Sequence, residues 1–140
     1  MEGVVYAGSS MFSCAGVTQD EISRRLRESR ANRIVIAACS PKTHESTFRR
    51  VMLKAGLNPY LMEMANLRNQ DSWVHKRTRD EATQKAIDMV RMAVEKARRL
   101  EPLEISHQPV IQKGLVIGGG IAGMTAAANL AKQGYETHLV

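Results

Sequence analysis

An α/β fold built on small parallel sheets is what this sequence predicts, and three observations predict it. Short continuous apolar runs alternate with helical patterns through the first 65 residues. A long amphipathic segment with a capping pattern follows. A Gly-x-Gly-x-x-Gly string then stands between one apolar run and a helical pattern that leads to another apolar run. Alternation of this kind favours parallel strands with helices on their faces. The expected architecture is a small open parallel sheet, a long linking helix, and the first β-α-β of a dinucleotide-binding domain.

Taken in order, Val4 to Ala7 is a short apolar run expected to form a strand. A polar loop with Ser9, Ser10 and Ser13 comes next. Thr18 with Glu21 three residues on has the spacing of a capping box, so a helix is expected from Thr18, fading near Asn32. Ile22 and Leu26 share its apolar face. Ile34 to Ala38 is apolar throughout, as a strand covered on both faces requires. Cys39 lies at its C-terminal end, where ligand sites of such sheets fall. Ser40-Pro41 reads as a turn, or as an N-cap with proline at the first helical position. The helix after it is expected from about Thr43 to Ala55, with Gly56 as its stop. Asn58-Pro59 breaks the chain, and Tyr60 to Met64 is expected to be a strand.

Asn66 to Arg77 reads as polar and irregular, with Trp73 and His75 tethering it to the core. Thr78 and Glu81 repeat the capping-box spacing. Ala82, Ala86, Val90, Ala93 and Ala97 then recur at helical spacing toward an end near Leu100, with Lys96, Arg98 and Arg99 at the negative end of the dipole. Residues 1–100 are therefore expected to form one α/β domain that closes with the long helix. Residues 101–113, with Pro102 and Pro109, are expected to be a linker.

Residues 114–140 carry the glycine motif. Gly114 to Ile117 is a short strand, Gly118-Gly119-Gly120-Ile121-Ala122-Gly123 the loop, Met124 to Ala131 a helix with a small-residue face, Gly134 its stop, and Thr137 to Val140 a second strand. Gly118 permits the tight turn, Gly120 lets a pyrophosphate approach the backbone, and Gly123 lets the helix pack closely. The helix N-terminus offers unpaired N–H groups to that anion. The strand–turn–helix–strand context is what turns a weak string into a dinucleotide site. An acidic residue for the ribose is expected beyond Val140, where the second strand is still running. The chain is therefore read as a fragment, binding a dinucleotide poorly or not at all by itself.

Composition bounds the rest. The chain has 140 residues, 44% of them hydrophobic, enough for an ordinary core. No apolar run approaches the length of a membrane span and no secretory signal is visible, so the expected compartment is cytoplasmic. The net charge is +6. Its basic residues are spread over helices (Arg24, Arg25, Arg27, Arg49, Arg50 and those after Val94) without interleaved aromatics. That distribution argues against nucleic acid and for docking acidic partner subunits. Cys14 and Cys39 are the only cysteines. From the residues alone they are half of a cluster site, a reactive thiol at Cys39, or two inert small hydrophobes. A zinc site from Cys14, Cys39, His44 and His75 lacks the paired C-x₂₋₄-C form, and His44 is better read as a capping or packing residue. The methionines are read as core fillers. No Ser/His/Asp set or carboxylate pair points to a hydrolase.

Four stretches carry a family resemblance: Asn32 to Glu45 (NRIVIAACSPKTHE), Ala55 to Asn66 (AGLNPYLMEMAN), Ser72 to His75 (SWVH), and Leu115 to Val140. Together the chain resembles the heterodisulfide reductase A-subunit family, which supplies the flavin and iron–sulfur component of that enzyme, and it resembles an N-terminal fragment of it. The resemblance implies an N-terminal α/β domain followed by a Rossmann-type FAD domain. It implies FAD on Gly118, Gly119, Gly120, Ile121, Ala122 and Gly123. It also implies that Cys14 and Cys39 help ligate a [4Fe–4S] cluster, and that electrons pass among FAD, clusters and other redox subunits of a multi-subunit complex; a homodimer is a separate expectation for its assembly. The sequence departs from the family in lacking its upstream Cys-x-Cys-Gly-like string, the rest of the FAD domain and the ferredoxin-type cysteine runs. The expected function is that of a flavin-dependent iron–sulfur electron-transfer oxidoreductase component. The alternative is a non-catalytic assembly module that docks redox partners and carries a vestigial nucleotide motif.

Overall fold

A computed structural model describes residues 1–140 and resolves them into two compact units, Met1–Glu104 and Ile105–Val140. The first runs α1 (Gly16–Glu28), β1 (Ile34–Ala37), α2 (Pro41–Lys54), β2 (Met62–Ala65), a π-helical turn (Arg68–Ser72) and α3 (Arg79–Arg98). β1 and β2 pair in parallel, with Ile34 opposite Met62 and Ala37 opposite Ala65. The ladder runs on to Ala38, whose N–H donates to the Ala65 carbonyl at 3.1 Å.

The core lies on one face of this pair. Ile36, Met62 and Met64 meet Leu26 of α1 and Phe48, Val51 and Met52 of α2. The Ser23 hydroxyl, fully buried, donates to the Val51 carbonyl at 3.0 Å and so has its partner within the α1–α2 seam. α3 packs against both strands, with Ala93 and Ala97 buried. Small residues there let the helix approach closely, while Lys96 reaches Glu63 of β2 at 2.8 Å. Helices thus serve the sheet much as the alternation of patterns predicts.

Several boundaries differ for identifiable reasons. Val4 to Ala7 is not a strand: Val4, Val5 and Tyr6 are exposed and pair with nothing, and the Arg25 guanidinium lies 5.7 Å from the Tyr6 ring. A four-residue apolar run becomes a strand only if a neighbour's ladder accepts it. The sheet therefore has two strands, not three. α1 starts at Gly16 behind Ala15, which places Thr18 inside the first turn and leaves no capping box. The entry is held instead by the Gln19 side chain, whose Nε2 donates to the Cys14 carbonyl at 2.7 Å. α1 also ends earlier than expected, at Glu28. The Ser29 N–H and hydroxyl both donate to the Arg25 carbonyl, at 2.9 and 2.7 Å, and Arg30 turns the chain out with φ 54°. Left-handed backbone costs a residue with a side chain roughly 1–2 kcal/mol. Arg30→Gly is therefore expected to raise the stability of this unit by about 1 kcal/mol, read as a higher urea midpoint at constant slope.

Ser40 and Pro41 take the N-cap and first helical positions as expected, and Gly56 closes α2 with φ 79°. β2 begins at Met62 because the Asn58 side chain accepts the Tyr60 N–H at 3.0 Å, which keeps Tyr60 and Leu61 in the turn. Residues 66–77 are ordered, not irregular. The Arg68 N–H donates to the Ala38 carbonyl at 2.9 Å, and the Trp73 N–H closes the π-turn onto the Arg68 carbonyl at 3.1 Å. Trp73 is 54% exposed and tethers nothing to the core. Asp71 is the buried residue of the turn, and its Oδ1 has no hydrogen-bond partner. His75 does hold the segment: its Nε2 lies 3.1 Å from Lys85 Nζ, which also donates to the Gln70 carbonyl at 2.6 Å. Thr78 is the N-cap of α3, but its hydroxyl makes no cap bond, so the second capping box does not form either.

The second unit holds β3 (Lys113–Val116), α4 (Ile121–Lys132) and β4 (Glu136–Leu139), with β3 parallel to β4. Gly134 ends α4 with φ 89°. The ladder continues past the named strands, because the Val140 N–H donates to the Val116 carbonyl at 3.0 Å and the Gly118 N–H to the Val140 carbonyl at 2.6 Å. Gly114 and Thr137 face α4, whereas Leu115, Ile117 and Val140 are exposed on the opposite face.

Candidate nucleotide-binding loop

The loop between β3 and α4 is shaped by two glycines. Gly118 has φ 108°, a conformation that side chains disfavour, and this turns the chain sharply off the strand. Gly123 is required for a different reason. A Cβ there would lie 1.8 Å from the Gly118 carbonyl oxygen and 3.0 Å from its carbon, with the Val116 side chain next at 3.5 Å. The first turn of α4 therefore lies against the backbone of the Gly118 turn, and only secondarily against the strand.

The other side of the loop is open. Atoms added at Gly118, Gly119 or Gly120 meet nothing within 4 Å. Gly120 is the N-cap with extended backbone, and its carbonyl accepts the Met124 N–H at 2.9 Å. Having no side chain, it cannot cap the helix itself. The leading amides of Ile121, Ala122 and Gly123 have no intrahelical acceptor at a helix start. Orphan N–H groups at the positive end of a helix dipole, beside space no Cβ fills, make a cradle that suits a phosphate. Two surface grooves lie elsewhere, one along Met92, Lys96 and Leu100, another along Val110, Lys113, Leu130 and Tyr135. The loop is an open cradle and not a cleft.

Electrostatics at the base of this unit centre on Glu136. A hydrogen bond from Lys113 Nζ at 2.6 Å holds its carboxyl below the usual carboxylate range; desolvation opposes this and His138 adds to it. The folded value is thus below the unfolded one. The stabilisation is in place above the unfolded carboxylate range and is lost as pH falls through the folded value. Exposure of both partners keeps the effect small and salt-sensitive. Lys113→Met is expected to move the Glu136 titration back toward the ordinary range, followed by carboxyl carbon NMR.

The cysteines are placed differently. Cys14 is exposed, just before α1, and Cys39 is half-buried at the end of β1, before the N-terminus of α2. Both are free thiols. No three His, Cys, Asp or Glu side chains come together in a way that would hold a metal, so the Cys14, Cys39, His44, His75 combination is not assembled. The neighbour that sequence reading missed is Arg68, whose Nη1 lies 3.6 Å from the Cys39 sulfur. The two are 29 positions apart and no motif joins them. The β1–β2 pairing and the bond from the Arg68 N–H to the Ala38 carbonyl bring them together.

Comparison with known proteins adds descent to this geometry. Residues 116–140 match the family described as an NAD(P)-binding Rossmann-like domain. The whole chain is 51% identical to the A-subunit of the H(2):CoB-CoM heterodisulfide,ferredoxin reductase of Methanothermobacter marburgensis, covering 21% of that protein. It is 47% identical to a protein of Archaeoglobus profundus named as like the heterodisulfide reductase A-subunit, covering 20% of it. It is 45% identical to the iron-sulfur A-subunit of the CoB--CoM heterodisulfide reductase of Methanocaldococcus jannaschii, covering 21% of it. The chain thus spans about a fifth of the length of these relatives.

Proposed function

Because the chain belongs over its whole length to the heterodisulfide reductase A-subunit family, we propose that it is a working segment of a flavin-dependent, iron–sulfur electron-transfer oxidoreductase. The observation that carries the nucleotide part is the contact of Gly123 on Gly118, which fixes the loop, beside the unfilled space at Gly118, Gly119 and Gly120. We assign residues 1–100 to an α/β domain, 101–113 to a linker whose last residue, Lys113, already opens β3, and 114–140 to the start of the FAD-binding unit. FAD bound there would supply the electron-accepting chemistry. The residues themselves bind and orient: the amides of Ile121, Ala122 and Gly123 donate to the pyrophosphate, and Gly120 lets it approach. Activity belongs to the longer protein, and the 140 residues alone are expected to be inactive.

Cys14 and Cys39 would be two of the thiolates of a [4Fe–4S] cluster, a reading supported by the iron–sulfur naming of a close relative. Four are normally needed, so the residues present do not complete such a site. Two free thiols suit a reducing compartment, which supports a cytoplasmic location. No helix is long and apolar enough to cross a membrane. Other redox subunits would be the partners, and a second copy of the same polypeptide is a further one.

The test is anaerobic purification of the complete protein with its partners, followed by a visible spectrum and flavin and iron assays. Stoichiometric FAD, lost in a Gly120→Val variant that still assembles, is the expected result. A complex that holds its partners yet retains no flavin at saturating FAD would overturn the reading in favour of an assembly role. Iron content unchanged by Cys39→Ala would remove Cys39 from the ligand set.

A further inference from the structure

We infer that the surface of residues 68–79 docks an acidic segment of a partner protein, with Trp73 and Val74 as its apolar centre. Trp73 is 54% and Val74 65% exposed, side by side at the end of the π-turn. Arg68, Lys76, Arg77 and Arg79 flank them along the chain, all exposed, and the Arg68 guanidinium lies 5.2 Å from the Trp73 ring centre. None of these four has a carboxylate within ion-pairing distance, whereas Arg24, Arg49 and Lys54 elsewhere in the same unit are paired. An exposed indole with an apolar neighbour, in a segment whose exposed cations lack carboxylate partners, has the make-up of an interface centre and rim. The negative charges nearby mark its limits: Asp71 is buried beneath the turn, and Asp80 and Glu81 begin α3 beyond Arg79.

The patch is also held still. The Arg68 N–H is fixed on Ala38, the Asn69 N–H on the Asn66 side chain at 3.1 Å, and the Ser72 hydroxyl on the Arg68 carbonyl at 3.1 Å. Lys85 ties the Gln70 carbonyl and His75 to α3. A surface ordered before binding loses little entropy on binding. The cations choose an acidic partner. Nucleic acid is disfavoured because stacking platforms use successive aromatic residues. Trp73 is the only aromatic between Asn66 and Arg79, and the Arg68 guanidinium already lies 5.2 Å from its ring centre.

The inference rests on the reading of the chain as a segment of a multi-subunit enzyme, and it is independent of the nucleotide loop. The test places a photo-crosslinking residue at Val74 in the complete protein, purified with its partners. The expected product is a crosslink to a peptide of another subunit in which Asp and Glu outnumber Lys and Arg. Joint replacement of Lys76, Arg77 and Arg79 by Glu should weaken association about tenfold and Trp73→Ala similarly, with added salt weakening the parent complex. Circular dichroism checks that both variants fold. A crosslink confined to the same polypeptide, one to a segment without acidic excess, or none in a complex whose partners are present would overturn the inference alone. So would a retained oligonucleotide displaced by Trp73→Ala. If no partner protein co-purifies at all, the multi-subunit reading falls and takes this inference with it.

Discussion

Gly123→Ala is expected to disable the nucleotide loop, while Gly120→Ala leaves the loop intact and blocks only the ligand. At Gly123 the added methyl would stand 1.8 Å from the Gly118 carbonyl oxygen. Both sides of that contact are backbone, so no rotamer relieves it. Either α4 withdraws by about 2 Å to reach ordinary contact, or the Gly118 turn opens. Opening it strains the φ 108° backbone and the 2.6 Å bond from the Gly118 N–H to Val140. Overpacking a tight contact costs ~1–3 kcal/mol, which is roughly five- to 150-fold in occupancy of the closed loop. Gly120 is different: its extended backbone suits alanine, and nothing lies within 4 Å of the new methyl. There the methyl occupies only the space a phosphate needs. Amide exchange at Gly118 separates the two variants without any ligand. Protection should fall in Gly123→Ala and persist in Gly120→Ala, whereas flavin retention should fall in both. Unchanged protection at Gly118 in Gly123→Ala would show that the close approach is not made.

These two glycines also show how far sequence reaches. The motif names both, and the need for a tight turn at Gly118 is legible because only glycine accepts that backbone. What Gly123 touches is not legible: helix-on-strand packing is the natural expectation, yet the Gly118 carbonyl is the nearer obstacle. Elsewhere, elements were readable where several local signals agreed. Ile34 to Ala37, Ser40-Pro41 and Gly56 each combine composition with a breaker or cap, and each stands where it is expected. Val4 to Ala7 is apolar too, but a strand needs a partner, and pairing is not written in four residues. The two Thr-x-x-Glu spacings failed because the N-cap of α1 fell on Ala15 and the Thr78 hydroxyl makes no cap bond. The π-turn, and with it the Arg68–Cys39 contact, depends on a backbone bond from Arg68 to Ala38 across 30 positions, which no periodicity encodes.

Phe48→Ala should be the most damaging single change in the first unit. Phe48 is 2% exposed and stands in the one apolar cluster that joins α1, α2, β1 and β2. Removing a buried aromatic ring from such a cluster costs ~3–5 kcal/mol, against ~5–15 kcal/mol for a whole domain. A two-stranded sheet has little else to draw on, since its ladder is four residue pairs long. Met52 is as deeply buried, but Met52→Leu keeps volume and polarity and should cost under ~1.5 kcal/mol. The expected result is a large drop in urea midpoint for Phe48→Ala, with the slope retained, and a small one for Met52→Leu. Far-ultraviolet circular dichroism is the probe to use. Trp73 is already half in water and makes no core contact, so its emission should shift little on unfolding. A Phe48→Ala cost below ~1 kcal/mol would mean the cluster is not close-packed. The Phe48→Ala change itself should also loosen the support of Cys39 and the π-turn, because both hang from the ends of the strands that Phe48 helps to bury.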